Sequence, residues 1–195
     1  FEIFALLLQL TLVLILFVIV PFVWYKMVNK FSLSQMIAVI RLKKERIDMA
    51  FVYGVLTAAV MLGIIIGIGI ILTFLGFDLE DAGNIQDIEQ LFSIPAMLIL
   101  ISIQPVAEEL FYRGFLLEKL EKISSAPIAI GVTAVLFGLA HLTTGNLYPA
   151  LLTGIAGAVL AVLVIKTKNL TAAIIAHVLF NVASFALYML GQSIV

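Results

Sequence analysis

The sequence predicts an all-α fold: a polytopic membrane helical bundle of about six transmembrane helices. A short amphipathic surface helix after the first span is expected, with an ordinary loop as the equal alternative. Three observations lead there. Of the 195 residues, 64% are hydrophobic and 12% charged, against roughly 45–50% and about 25% in soluble domains. The apolar residues form runs near the length of about 20 that a helix needs to cross the hydrocarbon. The 11 Lys and Arg residues fall in three stretches, 26–46, 113–122 and 166–168. These share one side of a membrane if six spans alternate.

No segment is long enough to build a soluble core. The chain therefore reads as one transmembrane domain over 1–195, with N-terminal spans and loops over 1–90 and a core over 91–190. The absence of cysteine excludes disulfides, thiolate metal sites and a cysteine nucleophile. No basic stripe suggests nucleic acid, and the lipid bilayer is the one partner that composition demands.

Ile3 to about Tyr25 is the first span, with Pro21 near its end and Trp24 and Tyr25 suited to the interface. It is too long for a signal-peptide core and lacks a basic start. In the polar stretch Met27–Asp48, Phe31, Met36, Ile37 and Ile40 recur at roughly helical spacing, the pattern of a surface helix. Met49 to about Phe77 is the second span. Its Gly63 and Gly67 form a GxxxG pair, expected to pack within this chain, with dimerisation as the lesser reading. Asp78–Glu89 carries five acids and no base.

Leu91 to about Lys122 is the third segment, interrupted by Pro95 and Pro105, each expected to disturb a helix. Ser124–Pro127 reads as a turn and helix start. Pro127–His141 is a short fourth span, and Leu142–Leu147 a small polar loop. Tyr148 to about Ile165 and Leu170 to about Leu190 are the fifth and sixth, joined by the turn Lys166–Asn169. The charge distribution then predicts that the basic loops are cytoplasmic, the acidic loop and both termini are outside, and the protein is integral to a membrane.

Charged groups at membrane depth cost about 2.5–3.5 kcal/mol each on insertion scales, so those kept there mark function. Glu108, Glu109 and Arg113 lie in one apolar segment. Glu109 and Arg113 are four residues apart with the acid first, the favourable order for a helical pair. Glu108 is rotated by about 100° from Glu109. Two carboxylates in different surroundings can take different acid–base roles. Glu108 is thus the expected working group, and Glu109 the one held by Arg113. The two histidines of the chain, His141 and His177, lie in or at the ends of apolar segments. Asn181 shares a helix face with His177, and Phe137 precedes His141 by one turn.

Taken in order, Glu108-Glu109-x-x-x-Arg113, Phe137-x-x-x-His141 and His177-x-x-x-Asn181 resemble the motifs of the CPBP intramembrane proteases. That family includes type II CAAX prenyl proteases and the bacteriocin-processing and immunity-associated ABI group. The resemblance covers about residues 95–190. The flanking Glu-Glu-Leu-Phe-Tyr-Arg-Gly-Phe-Leu and Leu-Phe-Gly-Leu-Ala-His agree, while the first two spans are generic.

The resemblance implies an endopeptidase acting on a membrane-associated peptide or protein, a lipidated one included, in the plasma membrane of a prokaryote. It implies that Glu108 activates water with help from His141, that His177 and Asn181 position water or the oxyanion, and that Glu109 and Arg113 orient the site. Amide hydrolysis without Ser or Cys requires such a base and such donors. Glu108, His141 and His177 would also suit zinc with an open position for water, so glutamate-type and metallo-endopeptidase both stand.

Counting about 1.5 Å per residue, His141 lies about 20 Å from the basic end of its span, with Glu108 and His177 nearer that end. Bringing them together calls for a break at Pro105, a fourth helix that starts deep, or strong tilt. Two other functions fit the polar residues. Intramembrane Glu, His and Arg also mark a proton-linked transporter or channel component, and a non-catalytic membrane partner or immunity protein could keep the same fold.

Overall fold

The structure is a computed structural model that describes residues 1–42, 46–77, 91–142 and 147–192. The acidic loop 78–89, Lys43 and Lys44, and most of the 142–147 loop lie outside the described residues. The elements are α1 (Glu2–Met27), α2 (Leu33–Val39), α3 (Ile47–Phe74), α4 (Ile94–Ile123), α5 (Ala126–Leu139), α6 (Leu147–Thr167) and α7 (Leu170–Gln192). Five of them, α1, α3, α4, α6 and α7, are long and apolar enough to cross a membrane. The expected fourth span is α5, with 14 residues. The polytopic helical bundle is therefore as predicted, with one helix shorter than a full crossing.

Local chemistry explains most boundaries. In α1 a π-helical turn at Ile15–Ile19 immediately precedes Pro21. Proline offers no N–H to the carbonyl one turn back and its ring crowds that carbonyl, so the turn widens. Helix α2 opens on a capping box in which Gln35 N–H donates to Ser32 Oγ and Ser32 N–H donates to Gln35 Oε1 at 2.7 Å. Its Met36 is buried while Leu33 and Ile37 stay exposed, which suits the expected surface helix.

Helix α4 corrects the reading of its two prolines. Pro95 stands in the first turn behind the N-cap Ser93, where its missing N–H has no intrahelical partner to lose. Pro105 lies inside a helix that continues through it. The departure from α geometry comes later, as a π-helical stretch at Leu110–Leu116. The wider turn buries three successive residues, Tyr112, Arg113 and Gly114.

Glycines mark where helices meet. A Cβ at Gly54 would lie 2.6 Å from Ile175 Cγ2, so α3 and α7 approach there. A Cβ at Gly138 would lie 2.5 Å from the Ala150 carbonyl oxygen, at the α5–α6 hairpin. Gly63 and Gly67, in contrast, have nothing within 4 Å of an added Cβ. Among the described residues the expected packing against that pair is not seen; α3 is buried instead at Ala50, Gly54, Ala58 and Met61. The core is formed mainly by Leu117, Leu160, Val164, Leu170 and Ala176.

The three basic stretches meet at one end of the bundle. Arg41 and Lys168 both pair with Glu121, Lys119 Nζ donates to Asn29 Oδ1 at 3.1 Å, and Tyr25 Oη donates to Glu118 Oε2 at 3.2 Å. Leu170 N–H donates to the Arg41 carbonyl at 2.9 Å. At the other end Ser93 N–H donates to Glu2 Oε1 at 2.7 Å. Helices α1 and α4 therefore lie side by side in the same direction.

Candidate active site

The α4–α5 hairpin removes the mismatch of depth predicted from the sequence. Because α4 runs on to Ile123, Glu108 precedes the end of α4 by as many residues as His141 follows the start of α5. The two therefore stand at a similar level without a break at Pro105. The packing agrees: Arg113 Cζ lies 4.5 Å from the centroid of the Phe137 ring, across the hairpin.

Glu108, Glu109, Arg113 and His177 are all buried. Arg113 pairs with Glu109 one turn before it, and its Nη2 donates to the Gly157 carbonyl at 2.9 Å. A Cβ at Gly157 would lie 3.2 Å from Arg113 Nη2 and 2.9 Å from Phe137 Cδ1. Glycine there lets the α6 backbone reach the guanidinium. The pairing expected from the i,i+4 spacing is thus present, and it is anchored to a third helix.

His177 joins the two acids. Its Nδ1 lies 2.9 Å from Glu109 Oε1, and its Nε2 lies 3.8 Å from Glu108 Oε2. With Nδ1–H donated to Glu109, Nε2 is the ring atom that faces Glu108. At 3.8 Å the two are too far apart for a direct hydrogen bond and are spaced for a shared water.

Glu108 also has a partner that the sequence reading missed. Gln104 Nε2 donates to Glu108 Oε1 at 2.7 Å. Gln9 Nε2, from α1, donates in turn to Gln104 Oε1 at 3.3 Å. Two signals were available: Gln104 stands one turn before Glu108, and Gln9 is a lone amide in an apolar span. Glu108 is therefore not the unpaired carboxylate expected, although no cation holds it as Arg113 holds Glu109.

His141 and Asn181 are placed differently. His141 lies in the turn just beyond α5, with Nδ1 at 2.8 Å from the Phe137 carbonyl. Among the described residues no hydrogen bond or ion pair joins it to Glu108 or His177. The Phe137 ring packs on both imidazoles, 4.7 Å from His141 and 5.7 Å from His177 between centroids. Tyr112 closes the aromatic group at 5.0 Å from Phe137. Asn181 is half-buried on α7, one turn beyond His177.

The three residues suited to zinc by type do not fit it by position. Among the described residues no group of three His, Asp or Glu side chains is gathered as a metal would require. His177 Nδ1 is bonded to Glu109 and His141 Nδ1 to a backbone carbonyl, so Nε2 is the ring atom each would offer a metal.

Residues 90–183 match the family model described as type II CAAX prenyl endopeptidase, Rce1-like. The match contains all six residues singled out from the sequence, and leaves α1, α2 and α3 outside it. No curated protein and no solved structure matches the chain.

Proposed function

The chain belongs, through residues 90–183, to the CPBP family of type II CAAX proteases, and we propose from that premise that it is an intramembrane endopeptidase with Glu108 as its general base. The substrate class is a peptide or protein at the membrane, and a prenylated C-terminal peptide is the first to try. The observation that carries the reading is the placement of Glu108. One carboxylate oxygen is tied to Gln104, and the other faces His177 Nε2 across 3.8 Å.

A water between Glu108 Oε2 and His177 Nε2 would donate one hydrogen to each. Glu108 would take a proton as the water oxygen attacks the scissile carbonyl carbon, and would pass that proton to the departing amine as the C–N bond breaks. Asn181 and His177 line the same face of α7, where Asn181 would donate to the developing oxyanion. Glu109 and Arg113 fix the orientation of His177. His141 would act on the substrate rather than on Glu108 itself, because its Nδ1 is committed to the Phe137 carbonyl and, among the described residues, no hydrogen bond or ion pair joins it to Glu108. No step is assigned to a metal, because among the described residues no three His, Asp or Glu side chains gather as a metal would require.

The gathering of the basic stretches at one end of the bundle supports a cytoplasmic face there, in the plasma membrane of a prokaryote. A transporter is less well supported. The buried charged groups of α4 run from Glu108 to Glu118, about 15 Å along the helix axis, while the hydrocarbon is about 30 Å thick.

The test is Glu108→Gln in liposomes, assayed with a quenched fluorescent peptide ending in a prenylated CAAX sequence and with unmodified peptides. Cleavage should fall by about 10²-fold or more while the unfolding midpoint in detergent stays put. Cleavage at the wild-type rate would remove Glu108 from the mechanism.

A further inference from the structure

The family match begins at residue 90, yet one side chain from α1 reaches the site. Gln9 lies on α1 and Gln104 on α4 before the first glutamate, and neither has a role so far. Both are half-buried. Each amide uses a defined end: Gln9 Nε2 donates to Gln104 Oε1 at 3.3 Å, and Gln104 Nε2 donates to Glu108 Oε1 at 2.7 Å.

The two adjacent acids are held by chemically different partners. Glu109 is neutralised by a buried guanidinium. Glu108 receives a neutral donor instead, an amide N–H that fixes the plane of the carboxylate. Tying Oε1 also determines where Oε2 points, which is toward His177 Nε2 at 3.8 Å.

An amide can turn either end to its neighbour. If Gln104 turned its oxygen to Glu108, two acceptors would oppose each other. The Glu108 carboxylate accepts and so draws the Gln104 nitrogen, and the donor from Gln9 reinforces that orientation by claiming the Gln104 oxygen.

We propose that Gln104 is a positioning residue for Glu108 and that Gln9 reinforces its orientation, which makes α1 part of the active site rather than only a membrane anchor. This rests on the reading of Glu108 as the general base.

The test uses the full chain in liposomes with the quenched prenylated peptide, and compares Gln104→Leu, Gln9→Leu and the double variant. Gln104→Leu should lower kcat by about 10- to 100-fold, the range of one charge-assisted hydrogen bond, with KM within about twofold and an unchanged unfolding midpoint. Gln9→Leu should lower kcat less, and should add nothing in the Gln104→Leu background, because the two act through one contact. If Gln104→Leu does not fold, Gln104→Asn retains the amide but shortens its reach and should show the same loss of kcat.

Wild-type kcat in Gln104→Leu or Gln104→Asn overturns the proposal, as do full additivity in the double variant and a loss confined to KM. Glu108→Gln, measured alongside, separates the two readings. If it retains cleavage, the general-base assignment fails. If it is inactive while Gln104→Leu is fully active, only the positioning role fails.

Discussion

The α4–α7 interface and the far end of α5 each hold one of the two histidines, and they hold it by different means. His177 sits between two buried carboxylates, one of them paired with a buried arginine that also reaches the backbone of α6. Among the described residues its polar partners are side chains from α4 and the Phe137 ring of α5 packs on it, so its position depends on how the helices pack. His141 is held by a backbone carbonyl one turn back and by the ring of Phe137, both on its own segment. The first arrangement joins stability to chemistry. The second leaves a polar side chain at a helix end whose loss costs the fold little.

That contrast can be broken by mutation. The largest effect on stability is expected at Arg113. Arg113→Ala leaves Glu109 buried without its cation, which costs about 3–5 kcal/mol, and should lower the yield, the unfolding midpoint in detergent and cleavage together. A variant that melts like the wild type would show that the pair is not structural.

Next come the glycine contacts. Gly54→Ala forces a methyl group against Ile175 and should cost about 1–3 kcal/mol by overpacking. Gly63→Ala and Gly67→Ala meet open space and should stay within about 0.5 kcal/mol. Thermal unfolding of the three proteins side by side checks both, and equal midpoints would mean that α3 does not pack on α7 at Gly54.

Glu121→Ala releases Arg41 and Lys168 at the partly exposed end of the bundle. It should cost at most about 1 kcal/mol and become indistinguishable from the wild type in high salt. The smallest effect on stability, and the sharpest test of the contrast, is His141→Ala. The midpoint should move by less than about 0.5 kcal/mol in equivalent terms, while cleavage falls by about tenfold or more. Undiminished cleavage would make His141 a packing residue, and a lowered midpoint would place it with His177.

How much of this was legible depends on the range of the interaction. The Glu109–Arg113 pair follows from four-residue spacing on one helix. So does the separation of Glu108 from Glu109, because adjacent residues on a helix point in different directions. Gln104, also one turn from Glu108, was equally open to reading and was missed. Pro105 was expected to disturb α4, and the helix continues through it, since a buried helix can leave one carbonyl unpaired without coming apart. The relation of His141 to Glu108 was misjudged because levels in a hairpin are counted from the turn on both helices, and Glu108 and His141 lie equally many residues from it.

Composition and periodicity by themselves determined that this chain is a bundle of membrane helices, which residues share a helix face, and that its buried polar groups fall into three motifs in order. Those properties are set within a single helix by its fixed rise and turn. Only the tertiary structure decided that His177 stands between the two acids, that the Phe137 ring packs on both histidines, that Gly54 rather than Gly63 and Gly67 brings helices together, and that Gln9 reaches Gln104. Each of these depends on the rotation and depth of one helix against another. Many small packing contacts set that relation jointly, and no local spacing records it.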